Sequence, residues 1–474
     1  MPVDVLNTSG PVPSFINNAP FITRSTFTVL NPNDEERKPL HDAYGVDPDE
    51  AIRAVEAAHA ALPGWRETPI KARREIFFKV VRAIKERRSE IVAWIIKETT
   101  STVPMAEFDV QLALENIEEL GAVISTALKS EIDPPGEPGR VTYITPSSPW
   151  NAPFILALRA VASPIVAGNT VVLKTSEMSP LSNMIIAQLF LEAGLPPGVL
   201  NVIHTSAENA PKVTETVIAH PAVRKVNFTG STRVGSIIGT LCGKYIKPVT
   251  MELGGAAALI VLEDADLEHA VKSTLLGKFF HSGQICMSTN NILVHESVAD
   301  EYITILTRET SQLQASHQPN SDKRIRGLFT PASAKRVNGL VRDALSKGAK
   351  IVVGDENPSR KTDISRHEIF GPALAITRIK TEDEAIAFVN RSGYGLSGAI
   401  HSRDIGRALR IARRIEASLV HINSFTVQDH ATIPHGGMKN SGFGRFNGFE
   451  GVREFTQIKV ISVTDIGPIP RLGL

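Results

Sequence analysis

Residues 170–203 read TVVLKTSEMSPLSNMIIAQLFLEAGLPPGVLNVI. The run TVVLK (170–174) is apolar, β-branched and too short for a helix, so it is predicted to be a buried strand. A helix is predicted over 180–194, and VLNVI (199–203) has the composition of a second strand. Strand, helix and strand in close succession is the grammar of a parallel crossover. The same alternation extends both ways. VTYIT (141–145) precedes a helix near 152–166, and KVNF (225–228) and PVTMEL (248–253) follow with helices between them. Together these segments predict an α/β fold, an open parallel sheet with helices on both faces.

Upstream, residues 48–62, 72–100 and 105–130 carry Ala, Glu, Lys and Arg with apolar residues at helical spacing, which predicts three amphipathic helices. Downstream, LGGAAALIVLEDADLEHAV (253–271) opens a second α/β series that runs to about residue 440. The tail EFTQIKVISV (454–463) has the composition of a strand. Glu131–Arg140, EIDPPGEPGR, is a turn-rich break beside VTYIT. With the C-terminal strand it is expected to form a small projecting sheet, and such an edge calls for cover by another chain. A homo-oligomer is therefore expected.

The 474 residues carry 51 basic and 50 acidic side chains, which gives no electrostatic reason to expect nucleic acid or an anionic membrane as partner. The most apolar region, Phe154 to Leu173, is interrupted by Arg159, Pro164, Gly168 and Asn169, so no membrane span is expected. The N-terminal residues lack a basic segment with an apolar core, and PRLGL at the C-terminus is no peroxisomal tripeptide, so the expected location is cytoplasmic. Two cysteines, Cys242 and Cys286, cannot build a disulfide framework. His367-Glu368 begins like a zinc-protease motif but lacks the second histidine, and no metal is expected.

Four short patterns carry chemistry. SPWNAPF (148–154) places Asn151 between a strand and a helix, and VNFTGSTRVG (226–235) sets Gly230 and Gly235 at a strand-to-helix turn. MELGG (251–255) ends a strand on Glu252, followed by two glycines. SGQIC (282–286) supplies Cys286 among small and polar neighbours, poor company for a structural thiol. Singly, each pattern has an ordinary alternative, namely a cap, a plain turn, a solvated carboxylate or an inert cysteine.

In this order and at these distances, the four patterns closely resemble the NAD(P)-dependent aldehyde dehydrogenase superfamily. The resemblance runs from about residue 20 onward and includes TVVLKTSE, HEIFGP and GGMKNSGFGR. PWNAPFILALRAVA, SGQICMST and HGGMKNSGFGRFNG are most similar to the salicylaldehyde and vanillin dehydrogenase branch. The resemblance implies an NAD-binding Rossmann-like domain (1–130 and 141–251), an α/β catalytic domain (252–440) and a small β oligomerisation arm (131–140 with 441–474), assembled as a homodimer or homotetramer. It implies Cys286 as nucleophile, Glu252 as the base that activates water against the thioester, and the Asn151 amide with the Cys286 N–H as oxyanion donors. A free thiol has a pKa of about 8.5, so the polar setting of Cys286 is expected to favour thiolate.

For NAD, the resemblance implies Gly230, Ser231, Val234 and Gly235 at the pyrophosphate turn, and Lys174 and Glu177 at the adenosine ribose. Glu368 and Phe370 fall at the nicotinamide, with Trp150 and Leu253 lining the cleft. Glu177 on ribose hydroxyls repels a 2′-phosphate, which favours NAD over NADP. Ile285 and Met287 flank the nucleophile toward an aldehyde substrate. Arg159, eight residues after Asn151, has two readings: selector of an oxygen-bearing aromatic ring, or partner of a carboxylate at a domain boundary.

The chain departs from the family pattern at Thr175, where Pro or Ala is frequent, and at Ala256, where Lys is common. His435 stands where Phe is frequent near the substrate mouth, and the segment from Gly354 to His367 is shortened and lacks a strand. Two other function classes remain: a catalytically silent binding protein with this fold, and a cysteine hydrolase, which would need His281 beside the thiol.

Overall fold

The strand Thr170–Lys174 forms with the expected bounds, all five residues buried, and the helix after it spans Pro180–Glu192. Burial on both faces explains why this strand is continuously apolar instead of alternating. The computed structural model describes residues 10–128, 141–144, 149–316, 324–353, 365 and 367–459.

Five parallel strands make the body of the first sheet: Val141–Ile144, Thr170–Lys174, Leu200–Ile203, Val223–Thr229 and Val249–Glu252. Numbered along the chain, they lie in the order 3-2-1-4-5. The chain reverses direction across the sheet at Val141–Ile144, and in such sheets ligands bind beyond the carboxyl ends at that reversal. Asn151, Gly230 and Lys174 all sit at or just past carboxyl ends of these strands. An N-terminal hairpin, Ser14–Ile16 with Ala19–Phe21, extends the sheet antiparallel at one edge.

The second sheet holds Ala257–Val261, Thr289–His295, Ala375–Ile379, Ser397–His401 and Leu419–Ile422. Every pairing in it is parallel, and its order is also 3-2-1-4-5.

The three N-terminal helices appear as four. Pro48–Arg66 opens on a capping box between Asp47 and Glu50, and the run expected over 72–100 divides into Ile70–Glu86 and Arg88–Glu98. Arg87 leaves helical geometry at the break, where its guanidinium pairs with Glu90 and Glu192. Val103–Ala127 follows. These helices and the wholly buried helix Pro153–Val166 form the larger core, with Trp65, Phe77, Phe154 and Phe190 inside it.

One expectation needs correction. Residues assigned to the projecting arm pack on the first sheet instead: Gly442–Phe443 pairs antiparallel with Met251 and Glu252, and Val452 of the helix Gly448–Arg453 lies in the larger core. The physical reason is an apolar side chain with a ready core beside it. Residues 456–459 of the expected tail strand take no regular structure. Residues 131–140, the end of the tail and most of the shortened segment before His367 lie outside the described residues. No helix of the described residues is long and apolar enough to cross a membrane.

Candidate active site

Glu252 ends its strand, and the two glycines after it let the second half of the chain come close. A Cβ on Gly255 would lie 2.3 Å from the Cys286 carbonyl oxygen, and one on Gly254 would lie 2.7 Å from Glu368 Oε2. The approach at Gly255, to backbone, tolerates no side chain, and a side chain at Gly254 would push the Glu368 carboxylate aside. Cys286 arrives through a strained loop in which His281, Ser282 and Gly283 take positive φ of 51°, 56° and 73°. Such strain persists only where surroundings enforce it. Ser282 Oγ bonds both the N–H and the C=O of Arg326, while Gln284 Oε1 accepts from the Phe329 N–H at 2.9 Å.

The Cys286 thiol donates to Glu252 Oε1 at 3.2 Å. His435 Nε2 lies 3.2 Å from the same oxygen, and Arg159 Nη2 donates to Oε2. Burial pushes the Glu252 carboxyl up, but Arg159, His435 and the two hydrogen bonds outweigh it and hold the group at about 2. The thiol moves the other way. Burial, and then the Glu252 charge and hydrogen bond, raise it well above the ordinary range, with Arg159 acting weakly against them. Here the expectation of a polar, thiolate-favouring setting is corrected: burial and a carboxylate in contact both favour the neutral thiol. Cys242 is buried in the helix Thr232–Lys244 and pushed up to about 12 by burial, as befits an inert residue.

Asn151 is buried, and its Nδ2 donates to the Gln284 carbonyl at 3.0 Å, which places the amide on the cysteine loop. Asp109 accepts from the Phe154 and Ile155 N–H groups, fixing the helix that follows Asn151. Ile285 and Met287 join Met105, Leu419 and Val427 in an apolar cluster, with Phe108, Phe280, Phe425 and Cys286 against it.

Of the expected cofactor residues, several meet. Trp150 lies edge-on to Phe370, ring centroids 5.9 Å apart, and stacks on Phe329 at 4.1 Å. Phe370 itself has a positive φ of 48°. Glu368 Oε1 accepts from the Gly255 N–H at 3.0 Å; burial raises its carboxyl to about 7 against that bond and the charges of Arg336 and Lys278. Gly235 admits Leu253, whose side chain would lie 2.5 Å from an added Cβ. Ser231 caps the helix Thr232–Lys244 by accepting from the Val234 N–H, and its own side chain is exposed. Lys174 is buried, donates to the Thr175 carbonyl at 3.0 Å, and feels the charge of Glu177.

Arg159 takes the carboxylate-partner reading. It is 2% exposed, donates to Glu252 and, at 2.7 Å, to Asp429, and lies over the Phe446 ring. Two carboxylates occupy the guanidinium edge that a substrate oxygen would need. His435, expected near the substrate mouth, is buried with a nitrogen on Glu252 because an imidazole, unlike a phenyl ring, bonds a carboxylate. His281 packs against Trp150 at 6.1 Å, and the thiol bonds Glu252 instead, so the cysteine–histidine pair of a hydrolase does not form. Asp429, Phe329 and Asp109 have no motif around them and act across more than 40 residues of chain, while Gln284 stood in SGQIC only as a polar neighbour of Cys286.

A profile of the aldehyde dehydrogenase family matches residues 21–461. A vanillin dehydrogenase of a Pseudomonas species is 39% identical over 441 residues, 89% of this chain and 91% of that protein. A salicylaldehyde dehydrogenase of Pseudomonas putida is 37% identical over 485 aligned positions, 95% of this chain and 97% of the relative. The crystal structure of a salicylaldehyde dehydrogenase from Pseudomonas putida, complexed with salicylaldehyde, superposes with a TM-score of 0.91 at 35% identity, covering 97% of this chain and 99% of that one.

Proposed function

The chain belongs to the aldehyde dehydrogenase family and is an oxidoreductase, and from that premise we propose that it oxidises aromatic aldehydes of the salicylaldehyde, vanillin or benzaldehyde kind to carboxylic acids with NAD. The observation that carries the proposal is the Cys286 thiol, bonded to Glu252 at 3.2 Å, beside an apolar cluster fringed by Phe108, Phe280 and Phe425. A flat apolar ring suits such a wall, and aromatic contacts contribute beyond the area they bury.

Cys286 Sγ bonds the carbonyl carbon as its proton passes to Glu252 Oε1. The Asn151 amide and the Cys286 N–H receive the oxyanion, a pair of donors whose loss costs about 10²–10³ in rate per donor. Loss of hydride from the tetrahedral adduct leaves a thioester on Cys286, and Glu252 takes a proton from the water that hydrolyses it.

The donor set fits a dinucleotide. An exposed helix N-terminus at Ser231 suits a pyrophosphate, Lys174 and Glu177 suit a ribose, and Glu368 with Phe370 and Trp150 suits a nicotinamide riboside. When bound, NAD supplies the hydride acceptor. The Glu177 carboxylate disfavours a 2′-phosphate and supports NAD over NADP. The first sheet with its N-terminal helices is the proposed NAD-binding domain, the second sheet the catalytic domain, and a homodimer or homotetramer the proposed assembly.

The test is reduced-cofactor formation with a panel of aldehydes and either dinucleotide. Benzaldehyde-type substrates with NAD are expected to exceed a short aliphatic aldehyde by about tenfold or more in kcat/KM, one well-filled apolar site being worth that much. Glu252→Gln, which removes the base from both half-reactions, should slow reduced-cofactor formation in the first turnover as well as in the steady state. No oxidation of any aromatic aldehyde would sink the proposal.

A further inference from the structure

Resting on the proposed chemistry of Cys286 and Glu252, we propose that His435 carries protons between Glu252 and Asp429 and so empties the catalytic base in each turnover. Glu252 is 1% exposed and must lose every proton it takes. Its Oε2 is held by Arg159, a guanidinium that keeps its own proton and accepts none. Its Oε1 is shared by the thiol, which is the source of a proton, and by His435 Nε2 at 3.2 Å. The sulfur gives Glu252 a proton on attack and takes one back on release, so among these three partners His435 alone can carry a proton away from the pair.

The far side of the ring points the same way. His435 is 1% exposed, and its Nδ1 makes no hydrogen bond; it lies 3.7 Å from Asp429 Oδ1. A buried, unbonded ring nitrogen is costly unless it has work to do. Asp429 is fixed by Arg159 on one oxygen and by Asn447 Nδ2, at 2.6 Å, on the other. It lines a small cleft with His421, Gln428, His430 and Ile433, and His430 and Ile433 are exposed.

The charged and titratable groups around His435 are therefore Glu252, Asp429, Arg159, His421 and His430, with Cys286 beyond Glu252. The proton leaves protonated Glu252 Oε1 for Nε2, the imidazolium rests between two carboxylates, and the Nδ1 proton departs toward Asp429 and solvent. Proton exchange with water, one lost from Nε2 and one taken up at Nδ1, restores the starting tautomer. Glu252 keeps its ion pair with Arg159 throughout.

The experiment uses the whole chain and p-nitrophenyl acetate, an ester that acylates a thiol without any dinucleotide. His435→Phe and His435→Gln should both slow hydrolysis of the acyl-enzyme by about 10–10²-fold, since positioned acid–base groups contribute at least that much. Added imidazole should recover much of the loss in each. Glutamine keeps a hydrogen bond to Glu252 but passes no proton, so it separates relay from positioning. Parent-like hydrolysis in the Phe variant, recovery in the Gln variant alone, or a loss that imidazole leaves untouched would each overturn the relay. Cys286→Ala runs beside them: turnover by that variant would instead refute the nucleophile and the proposed function with it.

Discussion

In the first sheet, Asn151, Lys174, Gly230 and Glu252 lie at or beyond the carboxyl ends of their strands. In the second, Gly255, Cys286 and Glu368 precede the amino ends of theirs. The two sheets share one strand order and meet the active site with opposite ends. Carboxyl ends of a doubly wound sheet supply helix N-termini and suit a phosphate-bearing ligand. The amino ends of the second sheet supply no such helix start. They supply loops, and the nucleophile is set by a loop whose backbone is forced into left-handed geometry at His281 and Ser282. On the proposed chemistry, the first half thus supplies the pyrophosphate and adenosine contacts together with Asn151 and Glu252, and the second supplies the nucleophile and the nicotinamide contacts.

The largest expected effect tests that division. Cys286→Ala removes the reacting atom of the second half and should cut aldehyde oxidation by at least about 10⁴-fold. NAD binding, measured by calorimetry, should stay within about threefold of the parent, because none of the proposed dinucleotide contacts is made by the Cys286 side chain. Cys242→Ala, in a helix of the first half, should retain parent activity. Loss of binding in the first variant would mean that the halves do not divide the labour this way.

The same asymmetry decided what was legible. The first sheet could be predicted nearly strand by strand, since buried parallel strands are continuous apolar runs and Thr170–Lys174 came out with its own bounds. The second half was visible as α/β grammar, but its site residues were found through motifs that match a known family, because loops at amino ends carry no periodic signal. Gly254 and Gly255 were noted as a pair; their reason, the close approach of Glu368 and Cys286, exists only in three dimensions. Arg159 shows the limit. Helical spacing from Asn151 left its partner open, and the partners proved to be Glu252 at the end of the first sheet and Asp429 beyond the last strand of the second. The C-terminal segment misled for a similar reason, since Val452, assigned to the projecting arm, packs in the larger core.

Arg159 ties the two halves together, so its removal should be felt by both. Arg159→Ala leaves Glu252 and Asp429 buried without their cation, a change that typically costs about 3–5 kcal/mol of stability. Turnover should fall by about 10²-fold, the cost of misplacing a catalytic group by roughly an ångström. The loss should be alike for salicylaldehyde, benzaldehyde and a short aliphatic aldehyde, because the guanidinium serves the base and not the ring. A loss confined to oxygen-bearing rings, measured as kcat/KM across the panel, would return Arg159 to substrate selection.

The smallest effect compares a buried histidine from each half. His204, at the end of the first sheet's strand Leu200–Ile203, has both nitrogens engaged: Nδ1 with Thr175 Oγ1 at 2.8 Å and Nε2 with the Pro13 carbonyl at 2.9 Å. His281, in the cysteine loop, has neither nitrogen hydrogen-bonded and holds a positive φ. Burial lowers both, His204 to about 4 and His281 to about 3, the latter also through the Arg326 charge. A histidine whose folded pKa lies below its unfolded value of about 6.5 stays neutral when folded and takes a proton when unfolded. The stability linked to it is therefore complete above about pH 6.5 and declines as pH falls toward the folded value. For His281 the decline is on the order of 2 kcal/mol by pH 5, at about 1.4 kcal/mol per unit. Asparagine tolerates left-handed φ and does not titrate, so His281→Asn should match the parent in thermal midpoint near pH 8 and exceed it progressively below pH 6.5. His204→Asn should lose stability even near pH 8, because two satisfied hydrogen bonds are broken in a buried site. Equal behaviour of the two variants across pH would show that the loop carrying Cys286 is no more strained than the end of an ordinary strand.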